Sequence, residues 1–558
     1  MHSNLYVISE TSIGKIRGRV EKIAGSDIDV FLGVPYAVPP VGELRFEKPK
    51  PLDDNPSQQI DALAHPKICI PHHRLDNRTY DWNDYSEDCL YLDVLALHND
   101  KKAENPPAHQ PILVLICVGG FQTGSMRRYT KNVTEIVLKY VRKGIVALRW
   151  IRKNADKFDG DPDRITLLGY SSAGSSIATL ALSPHSSDLF DQAIQMSGPI
   201  ITCRAASDRV VSVTYQLAIK LGCNQSRNDS SSIKRCLKQK SIDQFMDAMD
   251  SIGPTRPDYN YILIGPRIDG DFIPTNFLKL IKTAKPKKTI LGITEMEPLG
   301  FTLLLGNNSL RQLAIPNPEF STFDKEQLKS YILQKAIKRE YFDDQVNKIA
   351  NDVVEFYASG NVTLKDNWFY LKKAVQFLND IQFVAPTVWE VQAKLAKQWP
   401  LFLYINKYVN KRRFPEDFKI RKNYHDNDHM YVLRNPYSTY EYDGSDIIME
   451  EFMEQFFANF ILKGDPSIPG VVEWPMANST HPLQYMAIDL PRPKAEFQFA
   501  GLDGVHFWEN MLKKYPQYDL IMGVTSEKSP SVENWSNVPL MELSHTRKIT
   551  FENLNRLK

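Results

Sequence analysis

Apolar residues in this chain fall in short runs whose spacing changes along its length. Residues 5–8, 14–20 and 30–37 read as strands separated by turns, and Pro39-Pro40 with Gly42 holds the next stretch extended. Residues 86–94 pass from acidic side chains into an alternating strand pattern, and 111–116 are apolar throughout, as a buried strand is. Helical runs follow at 130–143 and 145–158. In a parallel sheet, successive crossover helices need a strand between them. Only Gly144-Ile145-Val146 is available, short of the roughly five or six residues of an ordinary strand. A defect with unpaired backbone groups is expected there. Later, 287–293 and 399–405 read as further sheet strands, while 325–339, 343–357 and 368–397 read as helices that cover the sheet and line a gorge.

One stretch carries chemistry on its face. Ile165-Thr166-Leu167-Leu168 is a strand-like run, followed at once by Gly169-Tyr170-Ser171, then by Ser172, Ala173, Gly174, Ser175 and Ser176, then by a helical apolar run at 177–182. Strand, tight turn with serine at its tip, small residues and helix form the nucleophile elbow of α/β-hydrolases. The small residues have a reason: the turn is strained, and the helix returns close to its own strand. The helix N-terminus also aims backbone N–H groups at the place where an oxyanion would form. The pattern G-x-S-x-G is met at Gly169 and broken at Ala173. Reading Ser172 as nucleophile restores Gly174 but loses Gly169 to Tyr170. Ser171 keeps the fixed distance from the strand end and is the expected nucleophile.

Composition narrows the class. The chain has 558 residues, 42% hydrophobic and 24% charged, enough for one large core or two domains. Its 68 basic and 66 acidic residues leave a net charge of +2, so nothing points to nucleic acid or an anionic membrane surface. No apolar run reaches the roughly 18 residues of a transmembrane helix. The first twenty residues lack the basic-then-apolar order of a signal peptide. Six cysteines are few for this length, and no pair has metal-site spacing. Glycosylation sequons begin at Asn77, Asn132, Asn224, Asn228, Asn307, Asn361, Asn478 and Asn534, a mild lean towards the secretory route.

FLGVPYAVPPVGELRF at 31–46 and SEDCLYLDV at 86–94 closely resemble the N-terminal signatures of the type-B carboxylesterase/cholinesterase family, and the resemblance continues in order to about Trp508. It implies an α/β-hydrolase fold, with a mostly parallel central sheet, helices on both faces and helical lid insertions. The domain would cover residues 1–520, leaving 521–558 as a polar tail. It also implies two disulfide loops, Cys69 to Cys89 and Cys223 to Cys236. Cys117-Val118-Gly119-Gly120-Phe121 stands where the family has His-Gly-Gly-Gly-Phe. The N–H groups of Gly119 and Gly120 would be oxyanion donors, with that of Ser172 as the third, while Cys117 and Val118 depart from the pattern. Glu297 stands where the family's triad acid sits, with Glu295 as local rival and Pro298 in place of a glycine. His425 with Asp428 fits the family's histidine pattern, and His429 does not. The order Ser171, Glu297, His425 is that of α/β-hydrolases. About thirty residues of the family pattern are absent between Lys143 and Ala147, where the strand runs short.

The expected activity is carboxylic ester hydrolysis. His425 takes the proton of Ser171, the serine attacks the ester carbonyl, and water activated by His425 then releases the acid. No metal or cofactor is expected. The partner is a small-molecule ester, and by resemblance the location is the secretory lumen or outside the cell, with the cytoplasm as alternative. Two other readings stand beside this one. A catalytically impaired binding or adhesion protein of the same fold is suggested by Cys117, Val118, Ala173 and the missing strand. A cholinesterase is suggested by Trp82, just before Ser86-Glu87-Asp88.

Overall fold

The computed structural model describes residues 5–522 apart from 24, 73–81, 99–108, 118, 125–142, 146–147, 224–228, 254–258, 260–261, 263, 305–312, 360–365 and 434–439. Val118, nearly all of the expected helix 130–143, the tail beyond 522, the side chain of Trp82 and seven of the eight sequon asparagines lie outside the described residues. The eighth, Asn478, is exposed. The chain divides into two compact units: Met1–Ile194, Val211–Gly253 and His429–Val471 in the first; Gln195–Val210, Pro254–Asp428 and Val472–Lys558 in the second.

The first unit opens with an antiparallel meander, β1 (Tyr6–Thr11), β2 (Gly14–Ile23) and β3 (Ser26–Pro35). β4 (Tyr91–Leu97) continues it against β3. Beyond lie β5 (Gln110–Ile116), β6 (Lys143–Ile145) and β7 (Gly160–Tyr170), in the spatial order β4-β6-β5-β7. β5 and β7 run parallel in register from Ile112↔Ile165 to Ile116↔Gly169. Their apolar runs are buried: Ile112, Ile165 and Leu167 are fully enclosed.

β6 occupies the position where the sequence runs short. It is three residues long. It pairs antiparallel with β4 through Val94↔Ile145, Leu95↔Gly144 and Ala96↔Lys143, and with β5 only through Leu113↔Gly144. Among the described residues, the rest of that flank of β5 has no strand beside it. A seven-residue strand thus meets a three-residue neighbour, and the defect expected from sequence takes this form. Because β6 claims Lys143–Ile145, the helix expected over 145–158 begins only at Leu148: α1 (Leu148–Asn154) passes into a 3-10 turn, Ala155–Phe158. Phe158 meets the ring of Phe31 edge-on at 5.2 Å. Two disulfides close the loops Cys69–Cys89 and Cys223–Cys236.

In the second unit β9 (Lys288–Thr294) and β10 (Leu401–Asn406) run parallel in register from Thr289↔Leu401 to Thr294↔Asn406 (β8, Gln192–Met196, precedes them in the chain). β11 (Tyr485–Ile488) extends the parallel set, and β12 (Lys494–Glu496) closes it antiparallel. The single helix expected over 368–397 is two helices joined by a π-helical turn. The sequence supplies the reason in Pro386, which has no N–H to give the carbonyl of Gln382 four residues earlier. Arg204 Nη2 donates to that carbonyl instead, at 2.5 Å.

Candidate active site

The serine turn follows from the residues around it. α2 (Ser172–Leu182) starts directly after β7, and Ser171 between them adopts φ 59°, ψ −125°. A non-glycine residue held at positive φ is strained, and such strain gathers at functional turns. Gly169 shows why the preceding position must be small. A Cβ there would lie 2.6 Å from both the Ala173 carbonyl oxygen and Ile177 Cδ1. Ala173, where the pattern has glycine, is accommodated in the buried face of α2. Ser172 is the first helical residue and is itself buried. Its N–H is one of those at a helix start for which the helix has no partner. Tyr170 stacks on His429, ring centroids 4.8 Å apart, so His429 is packed against the strand end.

The acid and the histidine stand on neighbouring loops of the second unit. Glu297 lies three residues past the end of β9 and is fully buried; His425 is 7% exposed. Glu297 Oε2 is 2.5 Å from His425 Nδ1, and Glu297 Oε1 accepts the Thr294 N–H at 2.7 Å. A carboxylate on Nδ1 fixes the orientation of the ring and its tautomer. The backbone tightens the pair, since the His425 N–H donates to the Glu297 carbonyl at 3.0 Å. Three asparagines complete the scaffold. Asn379 Oδ1 accepts the Glu297 N–H at 3.1 Å. Asn423 donates to Asn406 and to the Tyr408 carbonyl, and its own carbonyl accepts the Met296 N–H. Each bond satisfies a buried polar group and fixes where the dyad sits.

Two phenylalanines flank the imidazole, Phe301 at 5.1 Å and Phe383 at 5.3 Å between ring centroids. Each comes from a π-helical turn, Gly300–Leu304 and Asp380–Val384. Single π turns gather at functional sites because they turn side chains off the helix period. Sequence reasoning missed both rings and the asparagine scaffold. Pro386 was the available signal for one of the turns.

The rivals separate cleanly. Glu295 Oε1 pairs with Lys422 Nζ at 2.6 Å, away from the imidazole. Asp428, expected to accompany His425, is buried and accepts the Tyr404 O–H at 3.0 Å.

The glycine pair after β5 forms a tight turn. Gly120 and Phe121 both have φ 57°, and the Gln122 N–H donates to the Gly119 carbonyl at 3.0 Å. Two consecutive positive φ values suit glycine and strain phenylalanine. The Gly119 N–H donates to the Thr123 carbonyl at 2.6 Å, so one expected oxyanion donor is already committed. Desolvation pushes the thiol of Cys117 up to about 12, which keeps it protonated at neutral pH. Among the described residues no group of three His, Cys, Asp or Glu is arranged to hold a metal, and no helix is long and apolar enough to cross a membrane.

A serine at a strained turn between strand and helix is the nucleophile-elbow pattern of the α/β-hydrolase fold. The chain belongs to the carboxylesterase family, whose profile matches residues 6–136 and 144–503, and it is with that a carboxylic ester hydrolase of the α/β-hydrolase fold. The match breaks just before Gly144, at the short strand. Gut esterase 1 of Caenorhabditis elegans is 29% identical over 468 aligned positions, covering 77% of this chain and 79% of the relative. Carboxylesterase 5A of Canis lupus familiaris is 28% identical, covering 96% and 93%. The liver carboxylesterase of Sus scrofa is 25% identical, covering 91% and 93%.

Proposed function

We propose that this chain hydrolyses small-molecule carboxylic esters through an acyl-enzyme, with Ser171 as nucleophile, His425 as general base and then general acid, and Glu297 as the anchor of the histidine. Residues 1–520 would act as one hydrolase domain. The observation that carries the reading is the buried 2.5 Å contact between Glu297 Oε2 and His425 Nδ1, supported by hydrogen bonds from the Thr294 and His425 N–H groups and to Asn379. A carboxylate there orients the ring and stabilises the imidazolium that forms as Ser171 loses its proton. The oxyanion that develops on the ester carbonyl would take the N–H groups of Gly120 and Ser172, and that of Gly119 once it leaves the Thr123 carbonyl.

Hydrolysis of p-nitrophenyl butyrate tests this. Ser171→Ala is expected to lower kcat/KM by about four to six powers of ten, and Ser172→Ala to fold and retain most of the activity. The reverse result would move the nucleophile to Ser172. A folded wild type without any hydrolysis would favour the binding-protein reading instead.

The two disulfides also support a secretory location, since such bonds persist in oxidising compartments. Free thiols at Cys69, Cys89, Cys223 and Cys236 in protein from its natural source would contradict that.

A further inference from the structure

In a chain of nearly balanced charge, one concavity of the second unit is strongly basic. It has a volume of about 330 Å³ and is lined by Lys372, Lys411, Lys419, Ile420, Arg421 and Lys422. The lining comes from three places: α3 (Asn367–Asn379) supplies Lys372, the 3-10 turn Lys411–Arg413 supplies Lys411, and the segment before the histidine loop supplies the rest. Two carboxylates reach these cations. Lys422 is paired with Glu295 at 2.6 Å, and Lys419 meets Asp366 at 3.4 Å with both side chains more than half exposed. Lys372 and Lys411 have no carboxylate partner among the described residues.

The wall is preformed. Arg421 donates from Nε to the Phe418 carbonyl at 2.9 Å and from Nη2 to the carbonyls of Pro415 and Glu416, which holds the segment folded. Ile420 is buried and anchors it, and Asn410 caps the turn that carries Lys411. Like charges lining one concavity repel one another, and an anion among them offsets that repulsion. Beside Ile420 the lining is five cationic side chains, so the site suits a negatively charged group.

We propose that this pocket binds a small anion of two or more negative charges, a phosphate- or sulfate-bearing molecule, held by the ammonium groups of Lys372 and Lys411 with the other cations around it. Its concavity favours a small ligand over an extended polyanion or a membrane. The inference is independent of the esterase reading and shares none of its residues.

Calorimetric titration of the full chain with inorganic pyrophosphate tests it, against potassium chloride at matched ionic strength. One site is expected, and the double variant Lys372→Gln/Lys411→Gln should weaken Kd about tenfold or more. The variant's circular dichroism and ester hydrolysis should match those of the wild type, because both lysines are exposed and lie outside the dyad. The proposal is overturned if pyrophosphate gives no heat beyond the chloride control, or if the double variant binds as tightly as the wild type. It is also overturned if vesicles containing phosphatidic acid retain the protein while pyrophosphate does not bind.

Discussion

In the second unit, Glu297 and His425 stand on loops beside β9 and β10, two strands in continuous register, and both carboxylate oxygens and the backbone N–H of Glu297 are hydrogen-bonded. In the first unit, Gly119 and Gly120 follow β5, one flank of which meets a strand of three residues, and the Gly119 N–H is spent on Thr123. The same chain thus ties one part of its candidate machinery into well-paired strands and, among the described residues, sets another beside a strand of only three residues. The lesson concerns how precision is obtained. A carboxylate–imidazole contact needs only short loops on well-paired strands. An oxyanion loop needs its strand held from both sides, because backbone donors have no side chain with which to adjust.

The largest expected effect tests the well-paired region. Glu297→Gln should lower kcat by about four powers of ten while leaving KM within a few-fold, because an amide cannot stabilise the imidazolium. Glu295→Gln, which loses only the partly exposed pair with Lys422, should stay within a few-fold of wild type. Equal losses in the two variants would mean that the acid is misassigned.

The glycine turn gives the next contrast. Gly120→Ala should cost about a hundredfold in kcat, because the position requires φ 57° and is expected to supply a free donor. Gly119→Ala should cost less. Its N–H is already committed, and its new Cβ would press mainly on the Thr123 hydroxyl, a side-chain end that can move. A larger loss at Gly119 would show that the turn opens before catalysis.

Amide hydrogen exchange reads the strands directly. The amides of Ile112–Ile116 should exchange at least about tenfold faster than those of Tyr404–Asn406, which have strand neighbours on both flanks. Equal protection would remove the contrast.

The smallest effect is one of pH. Asp380 is buried in the π-turn that carries Phe383, and burial pushes its carboxyl up to about 7 although the Tyr357 O–H donates to it. In the unfolded chain it ionises near 4. Between those values the folded state holds the extra proton, so this group's contribution to stability falls as pH rises from about 4 to 7 and is flat above that. Asp380→Asn should flatten that part of the Tm profile and raise Tm at pH 8 relative to wild type. An unchanged slope would place the carboxyl's pKa near its ordinary value.

Much of this was legible in the residues, and the boundary is physical. The run 165–182 announces its strand, turn and helix because each needs distinct residue types at fixed spacing, and Gly169 could be nothing larger. The shortness of Gly144-Ile145-Val146 was visible because a strand has a minimum length. The choice between Glu295 and Glu297 was not visible from spacing alone. The structure separates them through partners over a hundred residues away, Lys422 and His425. The π-turns that bring Phe301 and Phe383 against the imidazole were also hidden, because five residues per turn leave no periodic mark in a short segment. The committed N–H of Gly119 depends on loop closure with Thr123, and no propensity encodes that.

The central claim is that Ser171 is the nucleophile that the Glu297–His425 pair serves. Labelling the intact wild-type protein with a fluorophosphonate and mapping the adduct by peptide mass spectrometry tests it most directly. The account predicts a single adduct on Ser171 that is lost in His425→Ala, whereas an adduct on Ser172, or labelling that survives removal of His425, would contradict it.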